Sequence, residues 1–356
     1  MSDLSAALDH LQQGHHLTAA ETAAAFGAVM RGEATHGQIR ALLLALKSKG
    51  ETADEVAGAA AAMRATMVRL PRTPDFGPRT SDLVDTCGTG GGTISTFNVS
   101  TTAAFVVAGA GVPVAKHGNR SFTSRSGSAD VLEALGIDIA LTPDRAAATL
   151  AEVGLVFLFA PTYHPAMRHA APVRAELKTA TIFNLLGPLS NPAGVTRQIV
   201  GVSDPERGPL VAEALARLGA EHALVVHAEV GMDEISPAGV THVWEVGGRR
   251  SPIPSASEGS PVSKWEINPG TYGLRNDDLA SLKGGEPAEN AARLELLLRP
   301  ASAGSIEDPA GRAAVLLNAA AAIYVSSEME FGDAVAVARK ALEDGKGAEV
   351  MEALKR

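Results

Sequence analysis

The sequence is poor in the features that mark secreted or membrane proteins. Its 356 residues include one cysteine, Cys87, so no internal disulfide can form, and a reducing compartment is indicated. The most apolar stretch, Ala103–Ala115, is too short to span a bilayer and contains glycine and proline. The opening residues MSDLSAALDH lack the basic and apolar regions of a secretory signal. We therefore expect a cytoplasmic protein that does not enter a membrane.

Basic residues are also too few for a general nucleic-acid binder. Lys and Arg total 31 against 40 Asp and Glu, which gives a net charge of −9 at pH 7. Nucleic-acid binding normally needs a basic excess, so we expect no nucleic-acid partner. The length and the 46% of hydrophobic residues allow one large domain plus a small one. An anionic ligand held by local chemistry is still compatible with this charge.

The first 72 residues are predicted to form a small all-helical N-terminal domain. Three Thr-x-x-Glu/Gln capping boxes each precede an amphipathic stretch rich in Ala, Leu or Met. Glycines stand where the first two of these helices would end. The boxes are Thr18 with Glu21, Thr35 with Gln38 and Thr52 with Glu55, and the glycines are Gly32 and Gly50. The Pro-rich segment Leu70–Ser81 is predicted to be a linker.

Residues 80–356 show the alternation of an α/β domain, with a mostly parallel sheet flanked by helices. Gly231–Gly273 indicates an irregular β portion, and Pro309–Arg356 is helical in pattern. Pro205 suits the first helical position after an Asp204 cap. The predicted strands are Leu83–Asp85, Val112–Ala115, Leu155–Ala160, Gln198–Val202 and Ala223–His227, and the predicted helices include Thr101–Gly109, Ser128–Leu135, Asp144–Val153 and Pro205–Leu218.

A glycine-rich loop lies between a predicted strand and a predicted helix, within Asp85–Thr101, DTCGTGGGTISTFNVST. Free N–H groups and the helix dipole attract anions at such a place. The loop matches neither a Walker A motif nor the dinucleotide fingerprint, and glycines alone are compatible with a tight turn that binds nothing. The side chains of Thr96, Asn98, Ser100 and Thr101 favour phosphate binding, and a hydroxyl can also bind Mg²⁺.

The loop has no cationic side chain, but the next predicted strand is followed by Lys116–Asp130, KHGNRSFTSRSGSAD. The carboxyl ends of parallel strands share one edge of the sheet, where ligands bind. Lys116, His117, Asn119 and Arg120 are therefore expected beside the glycine loop. The alternative is a solvated basic turn.

Two further segments could carry chemistry. Asp233 and Glu234 in GMDEIS follow another strand, and such a pair suits Mg²⁺ completed by waters and substrate phosphates, although adjacent acids alone are usually a solvated turn. Arg174 in HPAMRHAAPVR could bind a carboxylate with two hydrogen bonds, although an exposed helical arginine is common. Cys87 is interpreted as a small buried strand residue rather than a nucleophile.

Together these segments resemble the anthranilate phosphoribosyltransferase family over nearly the whole chain. The motifs that carry the resemblance are the GTGG loop, KHGNR, SGSADVLEALG, HPAMRHAAPVR, TIFNLLGPLSNPA and the GMDE turn. The resemblance implies the fold shared with pyrimidine nucleoside phosphorylases, and a homodimer formed through the helical domain, which helices around 164–178 join. It also implies a pentosyltransferase of tryptophan biosynthesis, with 5-phosphoribosyl 1-diphosphate (PRPP) and anthranilate as substrates and two Mg²⁺ ions.

The same resemblance assigns roles residue by residue. Lys116, Asn119 and Arg174 would be catalytic, Asn119 and Arg174 would meet anthranilate, and Ser100, Asp233 and Glu234 would hold magnesium. The resemblance assigns no general base, and the residues themselves offer His117 as a candidate for that role. The substrate-binding residues would be Gly88, Gly91, Gly92, Thr96, Asn98, Val99, Ser100, Thr101, Lys116, His117, Gly118, Asn119, Arg120, Ser121, Phe122, Thr123, Ser124, Ser128 and Arg174.

The chain departs from the family pattern at several positions. Gly92 and Thr93 stand where the family usually has aspartate and glycine, which leaves one acid fewer near the metal. The other departures are Lys178 and Ala180, in place of glycine and arginine, and Phe122 and Thr123, in place of smaller residues. Two alternatives stay open at this point: a pyrimidine nucleoside phosphorylase on the same fold, and a catalytically silent relative that binds nucleic acid.

Overall fold

The structure, a computed structural model, describes residues 3–71, 83–121, 125–248, 262–300, 302 and 308–356. Several sequence predictions fall outside these ranges: most of the linker Leu70–Ser81, the site candidates Phe122, Thr123 and Ser124, and part of the β portion Gly231–Gly273.

The N-terminal part is helical, as predicted, and all three capping boxes are closed. In each box the Thr hydroxyl accepts a hydrogen bond from the N–H three residues on, and the Glu or Gln side chain accepts one from the Thr N–H. Such a cap stabilises a helix by about 0.5–2 kcal/mol. Gly32 and Gly50 follow their helices with φ of 75° and 85°, a conformation that favours glycine. The helices are α1 (Asp3–Gln12), α2 (Ala19–Met30), α3 (His36–Lys49) and α4 (Ala53–Thr66).

Seven described strands form one sheet in the order β3-β2-β1-β4-β5-β6-β7. Neighbours from β3 to β5 pair in parallel, whereas β6 and β7 are antiparallel additions at one edge. The predicted mostly parallel sheet is thus confirmed, and the Gly231–Gly273 segment supplies β6 and β7. The strands are β1 (Val84–Asp85), β2 (Val114–Gly118), β3 (Leu155–Phe159), β4 (Arg197–Gly201), β5 (His222–Ala228), β6 (Thr241–Gly247) and β7 (Val262–Ile267).

Helices cover both faces of the sheet, which explains why its strands are apolar runs. In β5, Leu224 and Val226 face one core cluster while Ala223 and Val225 face another. Within the described ranges, no helix is both long and apolar enough to cross a membrane. The helices are α5 (Val99–Gly109), α6 (Ser128–Ala134), α7 (Pro143–Val153), α8 (Ala160–Tyr163), α9 (Ala171–Leu177), α10 (Phe183–Leu186), α11 (Arg207–Arg217), α12 (Pro287–Leu297), α13 (Pro309–Val325), α14 (Phe331–Glu343) and α15 (Lys346–Leu354); 3₁₀ turns span Pro165–His169, Pro269–Tyr272 and Leu279–Leu282.

The strand order reverses at β1, which pairs with β2 on one side and β4 on the other. The chain first runs from β1 through β2 to β3, and then returns to place β4 on the free side of β1. Ligands bind in such open sheets where the order reverses, outside the carboxyl ends of the strands. The segments that follow β1, β2, β4 and β5 therefore meet at one edge.

Two sequence predictions need correction. The second strand continues to Gly118, so Lys116 and His117 belong to the strand itself rather than to the turn after it. The helix expected to begin at Pro205 begins at Arg207, because Arg207 N–H and Gly208 N–H donate to carbonyls only three residues back, at Asp204 and Pro205. That spacing forms a tight turn ahead of the α-helix.

Side chains of the helical part contact the α/β part at several points. Arg64 on α4 donates to the Leu189 carbonyl over 2.6 Å, and Arg217 on α11 lies 2.7 Å from Asp54. Glu176 on α9 lies 3.2 Å from His36 and 3.3 Å from Arg40, both on α3. The division into domains 1–72 and 80–356, with helices around 164–178 joined to the first, stays a prediction.

Lys178 carries backbone strain that glycine would relieve. Among the described residues it is the only non-glycine with positive φ, at 47°, and it closes α9 through its N–H bond to the Arg174 carbonyl. Lys178→Gly should raise the free energy of unfolding by about 0.5–1 kcal/mol, measured by urea denaturation. Ala180→Gly, the control, should lower it because no positive φ is relieved there; equal effects of the two changes would contradict the strain.

Candidate functional site

A cavity of about 850 Å³ opens at the carboxyl edge of the sheet. Its walls come from the glycine loop after β1, the end of β2 and the turn after it, the acidic turn after β5, and the segment from α8 to α10. The sequence-predicted site residues that line it are Gly88, Gly91, Gly92, Thr96, Asn98, Ser100, Thr101, Lys116, His117, Gly118, Asn119, Arg120, Ser121, Ser128, Arg174, Asp233 and Glu234.

Among the predicted site residues that the structure describes, Val99 is the one outside this lining. It is the first residue of α5 and is fully buried in the core. Conversely, the cavity includes residues that were not predicted, among them Met63, Met167, Phe183 and Asn318. Met167 lies within the HPAMRHAAPVR motif and could have been found there. Met63 and Asn318 come from α4 and α13, and no local sequence signal connects those helices with the site.

The glycine loop lies against the end of β4. Thr89 N–H donates to the Gly201 carbonyl over 2.8 Å, and a Cβ on Gly88 would lie 3.0 Å from the same oxygen. Gly90 and Gly91 have φ of 69° and 87°. The glycines therefore serve close backbone approach and left-handed turns, the two conditions that a side chain would prevent.

Lys116 supplies a cation beneath the loop. Its ammonium donates to the Thr86 hydroxyl over 3.0 Å and to the Ser100 hydroxyl over 3.3 Å, and the residue is 3% exposed. Burial lowers the pKa of Lys116, and the nearby Asp85 carboxyl opposes that shift. Burial in turn raises the pKa of Asp85 to about 6. A buried cation with hydroxyl partners is well placed to attract an anionic ligand.

Arg120, expected to contribute free positive charge, is already paired. It forms ion pairs with Glu133 and, over 3.2 Å, with Asp130 on α6. Asn98 is engaged as well, since its amide donates to the Ser126 carbonyl over 3.1 Å and its oxygen accepts from the Asn290 amide over 2.9 Å. Both side chains thus brace the walls of the cavity.

Glu234 of the acidic pair lies at the N-terminus of α5. Glu234 accepts hydrogen bonds from the Thr96 hydroxyl over 2.9 Å and from the Ser100 N–H over 3.1 Å. The helix N-terminus, expected to attract phosphate, therefore holds a carboxylate from another segment. Burial, together with the charge of Asp233, raises the pKa of Glu234 to about 8, and burial raises the pKa of Asp233.

These groups fit a divalent cation. The Ser100 hydroxyl and the two carboxylates are hard oxygen ligands of the kind that Mg²⁺ prefers. Burial disfavours the charged form of both carboxyls, and the charge of Asp233 adds to the raised pKa of Glu234, so a bound cation would stabilise the carboxylates. Gly92 lies directly against this pair, because a Cβ there would be 2.7 Å from Asp233 Oδ1.

His117 and Cys87 also line the cavity and are uncharged at neutral pH. Burial, and then the neighbouring His164 ring 5.1 Å away, lower the pKa of His117 to about 3. Its Nδ1 contacts the Gly187 carbonyl at 3.0 Å, and its buried Nε2 has no hydrogen-bond partner in the described part of the chain. Burial raises the pKa of Cys87 to about 12. His117 is thus a weak base at neutral pH, and Cys87 is a thiol rather than a nucleophilic thiolate.

Another part of the cavity lining combines an arginine with apolar side chains. The Arg174 guanidinium lies 5.4 Å from the Phe183 ring centroid, and burial lowers its pKa. Among the residues that the structure describes, Arg174 has no acidic partner. Met63 and Met167 line the same cavity. Free guanidinium beside apolar walls suits a flat ligand that carries a carboxylate.

Fold and site together define a two-part glycosyl transferase. A family model described as the glycosyl transferase family α/β domain matches residues 80–348, and one described as that family's helical bundle domain matches residues 5–67. Both match in the chain order that the helical and α/β parts show.

Comparison with individual proteins identifies one enzyme family within the glycosyl transferases. The chain is 46% identical, over 99% of its length and 98% of the relative, to an anthranilate phosphoribosyltransferase from Chelativorans sp. (strain BNC1). The solved enzyme of that name from Thermus thermophilus superposes with a TM-score of 0.85 at 40% identity, covering 100% of this chain and 98% of that one. The Saccharomyces cerevisiae enzyme, solved with PRPP and Mg, gives 0.84 at 25% identity, covering 99% and 96%.

The chain therefore belongs to the anthranilate phosphoribosyltransferase family, which confirms the resemblance found in the sequence.

His117→Gln should change how stability depends on pH. Because the pKa of His117 in the folded state, about 3, lies below its ordinary 6.5, the folded protein binds fewer protons in that window and loses stability as pH falls through it. The variant should lose less stability from pH 6.5 to 4, measured by urea denaturation at each pH. Leu185→Ala, a buried non-titrating change on α10, should lower stability without altering this slope. An unchanged slope in His117→Gln would show that the imidazole is not held neutral.

Proposed function

We propose that the protein transfers the 5-phosphoribosyl group of PRPP to the amine of anthranilate, giving N-(5-phosphoribosyl)anthranilate and diphosphate. The observation that carries this proposal is the combination of two groups of residues in the lining of one cavity. Lys116, Ser100 and Glu234 form a hydrogen-bonded polar group, and Arg174 lies beside the Phe183 ring with no acidic partner among the described residues. The first group suits a phosphorylated sugar and the second an aromatic carboxylate. Relatives named anthranilate phosphoribosyltransferase match nearly the full chain, and they support this reaction.

The main requirement of this reaction is that the anthranilate amine is positioned near ribose C1. The amine of anthranilate is neutral at pH 7 and can attack ribose C1 without prior activation. As the bond to diphosphate breaks, negative charge grows on the leaving group and positive charge on the ribose. Lys116 and the N–H groups of the glycine loop stabilise the former charge. Arg174 and Asn119 hold the acceptor near C1, which removes much of the entropic barrier. Attack leaves the nitrogen with an extra proton, which passes to solvent as N-(5-phosphoribosyl)anthranilate forms; His117, with its lowered pKa, is not assigned as a general base.

Ser100, Asp233 and Glu234 would hold magnesium, which the yeast relative binds together with PRPP. When bound, the ion supplies charge neutralisation at the diphosphate. The oxygen-only donor set and the raised pKa values of the two carboxyls support this assignment. A second ion, the homodimer through the helical domain and the cytoplasmic location stay predictions from the sequence.

The two alternatives left open by the sequence are less well supported. A pyrimidine nucleoside phosphorylase would share the fold, but the full-length relatives bear the transferase name. A silent nucleic-acid binder would not need an arginine beside apolar walls and a buried lysine under a glycine loop.

Anthranilate fluorescence tests the function directly. Protein mixed with PRPP, anthranilate and Mg²⁺ should consume the fluorescent acceptor at a rate that depends on all three. The double variant Asp233→Asn, Glu234→Gln should lose magnesium-supported turnover, because amides are poorer ligands for a hard cation. No loss of fluorescence at micromolar wild-type protein would refute the proposed reaction. Wild-type turnover in the double variant at limiting metal would refute only the carboxylate assignment.

Arg174→Ala should separate the two substrates. Removing a charge-assisted pair should raise KM for anthranilate about 10–100-fold while KM for PRPP changes little, both measured by steady-state kinetics. Arg174→Lys should give a KM for anthranilate between those of the wild type and Arg174→Ala, since lysine keeps the charge but loses the planar fork. Arg145→Ala, an exposed arginine on α7 outside the cavity, is the matched control. Equal increases in both KM values would exclude Arg174 from acceptor binding.

A further inference from the structure

The acidic turn, residues 231–235, carries Asp233 and Glu234. Its first residue, Gly231, is held by hydrogen bonds from the glycine loop. The Gly231 carbonyl accepts two hydrogen bonds from one residue of the glycine loop, Thr93. The Thr93 N–H and the Thr93 hydroxyl each lie 3.1 Å from that oxygen. Gly231 has φ of +90°, and a Cβ on it would collide with the Thr93 hydroxyl. Loop and turn are therefore in direct contact at this point.

The same turn is fixed at its last residue by α13. The Asn318 side chain accepts from the Ile235 N–H over 3.0 Å and donates to the Ile235 carbonyl over 2.9 Å. A third bond, to the Ala314 carbonyl at 2.9 Å, holds the amide on its own helix. Asn318 is 6% exposed, so this rear anchor is rigid and shielded from water.

Between these anchors, Asp233 lies across Gly92. A Cβ on Gly92 would be 2.7 Å from Asp233 Oδ1 and 3.3 Å from the Asp233 N–H nitrogen. The missing side chain thus lets the loop come within contact of the carboxylate. If Thr93 moved away from Gly231, the neighbouring Gly92 backbone would move with it, and the Asp233 carboxylate would have more room.

We propose that Thr93 is a positioning residue, whose hydroxyl holds the acidic turn against the glycine loop so that Asp233 and Glu234 keep one arrangement ready for a divalent cation. This inference rests on the proposed function for its biological purpose. Asn318 is the fixed anchor behind the turn. Thr93 is the front contact, where the hydroxyl adds a second hydrogen bond to the one that the backbone N–H makes with the same carbonyl.

Thr93 is suited to a sharp test because its side chain is exposed. Thr93→Val keeps the shape and removes the hydroxyl, whereas Thr93→Ser keeps the hydroxyl and removes only a methyl group. Neither change opens a cavity in the core, so both variants should unfold at the wild-type temperature. A change in cation binding would then report the arrangement of the acidic turn rather than loss of folding.

Mn²⁺ is the probe, and its binding to the free full-length protein is followed by the electron paramagnetic resonance signal of unbound Mn²⁺. The loss of one hydrogen bond should weaken Mn²⁺ binding about 3–10-fold in Thr93→Val and by less than about twofold in Thr93→Ser. Wild-type affinity in Thr93→Val, or equal weakening in both variants, would overturn the role of the hydroxyl.

The result is separable from the proposed reaction. Mn²⁺ binding that depends on the Thr93 hydroxyl, in a protein that does not consume anthranilate, would support the positioning role and refute the reaction. If the protein consumes anthranilate but its Mn²⁺ affinity does not depend on the Thr93 hydroxyl, the reaction is supported and the positioning role is refuted. A wild-type protein that binds no Mn²⁺ would overturn the positioning role as well.

Discussion

The site depends on the pairing of a strand only two residues long. β1 forms parallel pairs with both β2 and β4, so the chain must leave the middle of the sheet directly into the glycine loop. Parallel register brings the ends of β2 and β5 to the same edge, and with them Lys116 and the acid pair. Because both faces of the sheet are covered by helices, the strands cannot slip without exposing apolar side chains. Core packing thereby sets the geometry of the polar site.

The charged groups of the site are linked to each other by hydrogen bonds through Ser100. Lys116 lies below the loop and hydrogen-bonds to Ser100, while Ser100 N–H donates to Glu234. Burial disfavours the charged form of each of these ionisable groups, as the directions of their pKa shifts show. Such a site gains by binding a metal and an anion together, since each compensates a charge that the protein leaves buried. The glycine loop needs no lysine of its own for this purpose.

Gly92 is the departure whose meaning changed most. From the sequence it was a missing acid, which left the metal with one carboxylate fewer. In the structure the space beside it is taken by the Asp233 carboxylate, so a side chain there would have to displace the very acid it was expected to assist. Thr93, the neighbouring departure, bonds to Gly231 at the start of the same turn. The two substitutions are compatible with each other because one leaves room for the turn and the other holds it.

Local features could be predicted from the sequence because their causes lie within a few residues. The capping boxes, the glycines after α2 and α3, the strand–helix alternation and the family motifs belong to this group, and they sufficed for the fold class and for most of the cavity lining. The helix after β4 was mispredicted because a tight turn at Asp204 competes with the cap. Only the tertiary structure decided that Arg120 is paired, that Glu234 occupies the N-terminus of α5, and that Asn318 holds the acidic turn. The last two contacts join residues 134 and 83 positions apart, and such pairs are set by sheet register and helix packing rather than by local pattern.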